Sequence, residues 1–413
     1  MNKEEFVKSL KNVKLVIGNG FDLHCGLHTK YSDFYCKYLD TYLRIRELFD
    51  SYDETETLAF KHEQIDLWTT WDLFFVLNSS KDPGINSKKW CDIEKMMLSS
   101  LITELDFEDN VEYASLSLCS YVHWPEIKEC VVRNIQATNH RDRFVVGFIK
   151  EKMKIRGFYP SAFYQFLLSE LKEFEKRFGG FIYDQLHENY FETVNFGERT
   201  FWNGPYIKMA MSTIAELCDT NQLTAIDSFN YGTIGYEGII NKIQNVNGDV
   251  HSPIFGIDTI FEPKDERFVF TKTARRIDLD LLSFDHESEK DFENIVIFGH
   301  SLNKADYSYF FPLFDKMRLT DLSATGVIVF AFDIYDVNNE ESIRVQQRES
   351  MSKLLYEYAS EKGLPNPKRF LDSLSTQKRI LSYEITTLKR EIYGYTTIDK
   401  EWDEINDKIK QLQ

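Results

Sequence analysis

The chain has 413 residues, 43% of them hydrophobic and 15% aromatic, which is enough for a sizeable core and for roughly two to three domains or one domain with large insertions. Its net charge of -17 leaves no dominant basic face and disfavours broad nucleic-acid binding. The six cysteines include no C-x-x-C pair, the N-terminus has no apolar signal core, and no apolar run approaches a membrane span. We therefore expect a cytoplasmic protein with free thiols.

The first strand and its turn, residues 13–22, stand out near the N-terminus. Residues 13–17 are apolar apart from Lys14, which indicates a buried strand, and Gly18 and Gly20 follow. Glycine tolerates positive φ and allows close approach to the backbone, and open α/β sheets bind phosphates at such a strand exit. The third glycine of the dinucleotide fingerprint would fall at position 23, which is Leu23, so a tight turn without a ligand fits the stretch equally well.

Helical patterns dominate the next part of the chain. Thr29 is suited to cap a helix over 30–49, whose aromatic residues recur at helical spacing and indicate a core face. Residues 50–215 lack short buried strands, and we interpret them as a helical insertion into the sheet, with a separate all-helical domain as the alternative. Within this block, residues 161–178 form an amphipathic helix that Gly179-Gly180 should end.

Short buried strands return near residue 223. The pattern predicts strands over 223–229, 244–246, 295–298 and 327–332, with helices between them, including one near 236–244. This alternation predicts an α/β, Rossmann-like fold, with a mostly parallel sheet and helices on both faces. The core then comprises 1–49 and 216–340, with the insertion at 50–215 and a helical C-terminal segment at 341–413. Apolar residues at helical spacing mark that last segment: Leu374, Ile380, Ile385, Leu388 and Ile392.

Three loops at predicted strand ends are polar and contain glycine: 18–22, 230–233 and 299–301. In parallel sheets the ligand crevice lies at the carboxyl ends of the strands. Core packing does not require Gly, Asn, Asp and Ser at three strand exits. The convergence therefore predicts a nucleotide-sized site.

Each candidate side chain at these exits also has a structural interpretation. Asp22 could bond ribose hydroxyls or activate water, or it could cap the following loop amides. Asn230 could bond a ribose or form a turn at the strand end. His300, between Gly299 and Ser301, suits acid–base chemistry, or it could be held by a hydrogen bond to a backbone carbonyl.

The sequence indicates metal binding and phosphate contact less strongly than it indicates a site at the strand ends. His24 and His28 are one helical turn apart, but Gly26 argues against a helix there, and no metal is expected. Glu94 could reach the cleft and Lys272 could contact a phosphate, although both residue types are common on ordinary surfaces. The chain has no nucleophile elbow, metalloprotease helix or P-loop, which disfavours phosphoryl transfer on the Walker pattern.

Taken in order, the motifs between residues 13 and 315 resemble the AbiH family of bacterial phage abortive-infection proteins. The matching segments are 17–22 (IGNGFD), 26–34 (GLxTxYxDF), 90–94 (WxDIE), 228–231 (SFNY), 247–248 (NG), 255–258 (FGID), 270–273 (FTKT) and 298–303 (FGHSLN) with Asp306. The resemblance implies a role in antiphage defence. The C-terminal helices carry no matching motif.

A more distant similarity is to sirtuin-like defence domains, which bind NAD and in several cases hydrolyse it. Carried over by position, the residues implied beside the pyrophosphate and ribose are Gly18, Gly20 and Asp22. Asn230 would face the nicotinamide ribose, while Gly299 and Ser301 would hold the adenosine half. The complete predicted site for NAD or a related nucleotide is Gly18, Asn19, Gly20, Phe21, Asp22, Thr29, Asn230, Tyr231, Asn247, Gly248, Gly299, His300, Ser301 and Asp306, with Asp22, Asn230 and His300 as the catalytic candidates.

One position departs from the sirtuin-like pattern. The His-Gly pair of those enzymes is Asn247-Gly248 here, and Asn cannot take up a proton near neutral pH. Either His251 or His300 could replace the missing base. Otherwise the chain binds a nucleotide without hydrolysing it.

Three functions are consistent with these patterns. The first is an antiphage effector that binds NAD or a related nucleotide and cleaves its glycosidic bond. The second is a non-catalytic nucleotide sensor or interaction module; neither function requires a membrane or a nucleic acid as partner. The third, disfavoured by the acidic charge, is a nuclease that holds magnesium through Asp22, Glu94 and Asp306. The sequence leaves open a phage or host protein trigger and assembly into a homo-oligomer.

Overall fold

The chain divides into two units, of which the computed structural model describes residues 2–52, 67–78, 93–102, 122–190, 193–196, 199–202, 205–232, 242–257, 261–278, 291–321, 323–334 and 339–385. Unit 1 is made of Met1–His28, Tyr183–Asp249 and Leu281–Gln413. Unit 2 is made of Thr29–Ile182 and Val250–Asp280.

Unit 1 contains a six-stranded sheet in which all neighbouring strands are parallel. The strands are β1 Val13–Ile17, β2 Thr193–Phe196, β3 Arg199–Trp202, β4 Leu223–Ser228, β5 Ile243–Asn245, β6 Asn294–Phe298, β7 Ile328–Asp333 and β8 Ile380–Ile385. The sheet order is β5-β4-β1-β6-β7-β8, while β2 and β3 form a separate antiparallel pair. Counted along the chain, the sheet strands follow the 3-2-1-4-5-6 order of dinucleotide-binding sheets, and the predicted α/β, Rossmann-like fold is confirmed.

Strand β1 lies at the point where the chain changes direction across the sheet. From β1 the chain builds β4 and β5 on one side, then returns to β6 on the other side. Ile17 is in register with Ser228 of β4 and with Phe298 of β6. The three strands therefore end level with one another, and the loops that follow them begin side by side.

Helices of unit 1 cover both faces of this sheet. The α-helices in the described residues are α1 Lys3–Lys8, α2 Asn19–His24, α3 Tyr31–Lys37, α4 Leu39–Asp50, α5 Thr70–Asn78, α6 Ile93–Leu101, α7 Trp124–Val132, α8 His140–Ile155, α9 Phe163–Tyr190, α10 Pro205–Leu217, α11 Lys272–Asp278, α12 Tyr307–Lys316, α13 Glu340–Glu361 and α14 Pro367–Thr376. Leu15 packs in one buried cluster with Ile214 of α10, and Val16 packs in the opposite cluster with Phe310 of α12. Successive strand residues point to opposite faces, so strands buried on both faces appear in the sequence as continuous apolar runs.

The one charged residue of β1 is neutralised within the sheet. Lys14 Nζ lies 2.7 Å from Asp227 Oδ2 of the neighbouring strand β4, and both side chains are buried. The Tyr309 hydroxyl of α12 donates a hydrogen bond to the same carboxylate. A buried pair of this kind is costly to break by removing one partner, because the other charge is then left uncompensated.

In the described part of unit 2, aromatic side chains and ion pairs hold the helices together. Phe34 of α3 packs edge-on against Phe174 and Phe178 of α9, with ring centroids 5.6 and 5.2 Å apart. Glu175 of α9 binds Arg275 of α11 through two contacts of 2.9 and 2.7 Å. The predicted helix over 30–49 is divided into α3 and α4, which meet at Tyr38.

Several sequence predictions of local structure were wrong. The N-cap residue of α3 is Lys30 rather than Thr29. Gly179-Gly180 does not end the amphipathic helix, because α9 continues through both glycines to Tyr190. Ile380 and Ile385 lie in strand β8 rather than in a helix, since Leu381, Tyr383 and Ile385 alternate toward one face of the sheet. The predicted helix over 236–244 and the positions Trp90, Leu388 and Ile392 fall wholly or largely outside the described residues.

No described helix is long and apolar enough to cross a membrane.

Gly179 and Gly180 provide a matched test of helix packing in unit 2. A Cβ at Gly179 would overlap the carbonyl oxygen of Val250 and lie 3.0 Å from its carbon, whereas a Cβ at Gly180 would meet nothing within 4 Å. Gly180→Ala should raise the free energy of unfolding by about 0.5–1 kcal/mol through helix propensity. Gly179→Ala should lower it by about 1–3 kcal/mol through overpacking. Urea denaturation measures both, and equal effects of the two substitutions would contradict this packing.

Candidate functional site

The loops that leave β1 and β6 are in direct backbone contact. The Gly18 amide donates to the carbonyl of Phe298 (3.0 Å), and the Gly20 amide donates to the carbonyl of Gly299 (2.7 Å). A Cβ on Gly18 would lie 2.7 Å from the Cα of His300, and a Cβ on Gly20 would lie 2.7 Å from the Cα of Gly299. These glycines are therefore required by the approach of another stretch of backbone.

This contact bears on the predicted phosphate cradle. The amide of Gly20 is already bonded to Gly299, and the amide of Phe21 donates to the carbonyl of Gly18 (2.8 Å). The helix that follows, α2, has only six residues. The amides of Gly18, Gly20 and Phe21 thus donate to protein carbonyls, which does not suit binding of a pyrophosphate.

Asp22 is an acidic group at the strand exits whose pKa departs strongly from its usual value. Its side chain is buried, and the Tyr206 hydroxyl of α10 donates to its Oδ1 at 2.8 Å. Burial raises the pKa of Asp22 to about 7, although the hydrogen bond from Tyr206 and the amide of Asn230 both oppose that shift. The carboxyl group therefore exchanges a proton near neutral pH.

Asn230 follows β4 and lies next to Asp22. Its backbone amide donates to the Ser228 hydroxyl (3.2 Å), which holds the residue at the strand exit. The side chain is buried, and its Nδ2 makes no hydrogen bond of good geometry, although the amide is close enough to lower the pKa of Asp22. A buried amide donor without a good partner is uncommon in native proteins and calls for an explanation.

The imidazole of His300 is fixed in place because both of its ring nitrogens contact groups of the protein. Its Nδ1 accepts a hydrogen bond from the Leu302 amide (2.9 Å), so the ring proton lies on Nε2, which is 3.5 Å from Asp306 Oδ2. The rings of Phe229 and Phe310 stand edge-on to the imidazole, with centroids 4.3 and 5.1 Å away. This environment favours a structural role for His300 and Asp306.

The remaining predicted residues have varied environments. Asn19 and Ser301 are exposed, and Tyr231 is half-buried. Phe21 is buried edge-on against Phe298, as a core residue would be. Asn247 is buried, and Gly248 has a φ of +78°. Thr29 and His251 belong to unit 2, whereas the other predicted site residues belong to unit 1.

Sequence reasoning missed two partners of the strand-end helix α2. Neither Tyr206 of α10 nor Asp333, the last residue of β7, belongs to a motif that marks it in the sequence. Asp333 Oδ2 lies 3.0 Å from Nδ1 of His24. Helix α2 ends at His24, so His24 and His28 do not share a helical turn.

Glu94, which was expected to reach the cleft, and Lys272, which was expected to contact a phosphate, form an ion pair in unit 2. Glu94 Oε2 lies 2.9 Å from Lys272 Nζ, and Glu94 also accepts a long hydrogen bond from the Gly256 amide (3.4 Å). Across the described residues, no three His, Cys, Asp or Glu side chains converge as a metal site would require.

The fold and this edge define an α/β protein with Rossmann strand order and a polar candidate site where its central strands end. Residues 15–202 match the family described as Bacteriophage abortive infection AbiH. This match covers a little under half of the chain and supports the resemblance to the AbiH family seen in its motifs. No curated protein and no solved structure matches the chain significantly.

The raised pKa of Asp22 predicts a specific pH dependence of stability. The unfolded carboxyl ionises near 3.8 and the folded one near 7, so the folded form keeps its proton over the range in which the unfolded form loses it. The free energy of unfolding should fall by about 4 kcal/mol as pH rises from about 4 to about 7, and then level off. Asp22→Asn should remove this fall, while Asp372→Asn, at an exposed position of α14, should keep it. Urea denaturation across that range checks both variants, and an unchanged slope in Asp22→Asn would refute the assignment.

The contact between the two loops can be tested at Gly299. Gly299 and Gly363 both have left-handed backbones, with φ of +67° and +65°. A Cβ on Gly299 would overlap the amide of Phe21 and lie 2.6 Å from the carbonyl carbon of Gly20, whereas one on Gly363 meets nothing within 4 Å. Gly363→Ala should cost about 1–2 kcal/mol from the backbone alone. Gly299→Ala should cost at least about 2 kcal/mol more, and similar midpoints in urea would disprove the close contact.

Proposed function

We propose that this antiphage protein binds a nucleotide at the carboxyl edge of the unit 1 sheet, through the ribose, and that Asp22 and Asn230 are the residues that hold it. NAD and ADP-ribose are the first ligands to test. The proposal combines the match to the abortive-infection family with the polar groups that follow β1 and β4.

The observation that carries the proposal is the pairing of Asp22 with Asn230. One is a buried carboxyl group with a pKa of about 7, and the other is a buried amide whose donor lacks a good partner. Ribose hydroxyls both donate and accept hydrogen bonds, so a vicinal diol can satisfy a carboxylate and an amide donor together. The two residues lie at the strand exits beside the switch point of a doubly wound sheet, where ligands bind in this fold class.

The strand-end residues suit the ribose of a dinucleotide better than its pyrophosphate. The pyrophosphate role implied for Gly18 and Gly20 does not suit them, because their Cβ positions are filled by the backbone of the β6 loop. The ribose role implied for Asp22 and Asn230 suits their chemistry. We therefore assign recognition to side chains at this edge and leave the glycines with the structural task of joining the two loops.

Binding without hydrolysis is the form of this proposal that the side chains favour. Asn247 occupies the position of the sirtuin-like histidine, and both ring nitrogens of His300 face groups of the protein. In a hydrolytic form, Asp22 would be the group able to take up a proton near neutral pH. Release of nicotinamide from NAD distinguishes the two forms.

A metal-dependent nuclease has less support. Glu94 is paired with Lys272 in unit 2, and Asp306 faces His300 in unit 1. Asp22 is bonded to the Tyr206 hydroxyl. Each of the three carboxylates proposed for magnesium thus has a protein partner of its own.

Calorimetry with the purified full chain tests the proposal. NAD or ADP-ribose should bind, and Asp22→Asn and Asn230→Ala should each weaken binding by about tenfold or more, as expected for the loss of a hydrogen bond to a charged or buried group. Asp372→Asn should bind like the unaltered chain. In cells exposed to phage, the same two site variants should lose protection while Asp372→Asn keeps it.

Chromatography of the NAD mixture then shows whether nicotinamide is released. Because Asp22 and Asn230 are buried, a ligand must open the surrounding loops, so hydrogen exchange in α2 should change on binding. The proposal would be refuted if neither nucleotide bound and if Asp22→Asn and Asn230→Ala both gave full phage protection.

A further inference from the structure

His24 sits at the same edge of the sheet as Asp22 and is not explained by packing alone. Its side chain is buried, and its Nδ1 lies 3.0 Å from Asp333 Oδ2 at the end of β7. Its ring is perpendicular to the ring of Phe298, with an interplanar angle of 90° and centroids 5.4 Å apart. The imidazole is thus fixed by a carboxylate on one side and by an aromatic ring on another.

The contact with Asp333 defines the tautomer of His24. An ionised carboxylate can only accept hydrogen bonds, so Nδ1 carries a proton, and in the neutral imidazole Nε2 carries the lone pair. Nε2 is buried and has no hydrogen-bond partner in the described part of the chain. Leaving such a buried acceptor unpaired destabilises the folded protein, so it calls for an explanation.

The unpaired nitrogen belongs to a set of groups at one sheet edge. His24 lies two residues after Asp22, on the other side of the short helix α2, and Asn230 follows strand β4, which is adjacent to β1. Together they offer an acceptor (Nε2), a donor (Asn230 Nδ2) and a carboxyl group that changes protonation near pH 7. By contrast, His300 at the exit of β6 has a partner for each ring nitrogen.

We propose that His24 is a further ligand-binding residue of the strand-end site, in which Nε2 accepts a hydrogen bond from a hydroxyl group of the bound nucleotide and Asp333 is the positioning residue that holds the imidazole. This inference rests on the proposed function and adds a second recognition group to it. The ligand keeps its proton, and no covalent bond changes. Asp333 acts through His24, because its carboxylate keeps the proton on Nδ1 and so leaves Nε2 free to accept.

Substitutions at His24 separate recognition from packing. Asn in place of His24 keeps an amide near Nδ1 but lacks an atom at Nε2, whereas Gln extends an amide to about that position. His24→Asn should reduce phage protection and affinity for ADP-ribose by about tenfold or more, and His24→Gln should restore part of both. His28→Asn, on an exposed histidine of the same segment, is the matched control and should behave like the unaltered chain.

The positioning role of Asp333 has a spectroscopic test. In the full chain labelled with nitrogen-15 histidine, the NMR signals of His24 should show a protonated Nδ1 and a bare Nε2. Asp333→Asn should shift His24 toward a mixture of tautomers, because the neutral amide no longer selects a donor at Nδ1. ADP-ribose should move the Nε2 resonance of His24 in the unaltered chain.

Distinct results separate this inference from the proposal on which it rests. If Asp22→Asn and Asn230→Ala lose protection but His24→Asn protects fully, the role of His24 is refuted and the proposed function stands. If all three variants protect fully, both are refuted. If His24→Asn and His24→Gln lose protection equally and in step with their urea midpoints, His24 serves packing alone and the inference is overturned.

Discussion

The contact between the backbones that leave β1 and β6 is the constraint on which the rest of this site depends. The Gly20 amide and the Gly299 carbonyl are 2.7 Å apart, which leaves no room for a side chain on either residue. Helix α2 therefore begins as soon as β1 ends, directly over the carboxyl edge of the sheet. Residues on its two sides then face different strands: Asp22 meets Tyr206 and Asn230, and His24 meets Asp333.

In the proposed function, this constraint assigns ligand recognition to side chains rather than to the main chain. In a dinucleotide-binding loop the glycines admit a pyrophosphate and the first-turn amides bind it. Here the same positions hold two loops together, and the groups left over are a protonatable carboxyl, an amide donor and an imidazole acceptor. Their chemistry suits the hydroxyls of a sugar better than the oxygens of a phosphate.

The fold was largely readable from the sequence because it depends on local patterns. Buried parallel strands appear as continuous apolar runs, and the loops after them were recognisable by their polar and glycine residues. Strand β8 was misread since its apolar residues also fit a helical spacing, and Gly179 was misread because a glycine that admits a neighbouring carbonyl looks like one that ends a helix. A sequence pattern shows that a residue is glycine, but the group that requires glycine there, such as the Val250 carbonyl beside Gly179, lies elsewhere in the chain.

The site was only partly predictable for the same reason. Asp22 and Asn230 were identified since both follow strands, but Tyr206 lies 184 residues from Asp22, and Asp333 lies 309 residues from His24. No local signal marks such partners. The glycine motif was recognised correctly as a feature of the strand exit, yet the sequence could not show that its occupant is the β6 loop.

A crystal structure of the full chain with ADP-ribose would test the central claim most directly. The account predicts a ribose whose hydroxyl oxygens lie within about 3.2 Å of the Asp22 carboxylate and the Asn230 amide, with the contact between Gly20 and Gly299 intact. A nucleotide held by the amides of residues 18–21, with the two loops separated and the ribose away from Asp22, would contradict it.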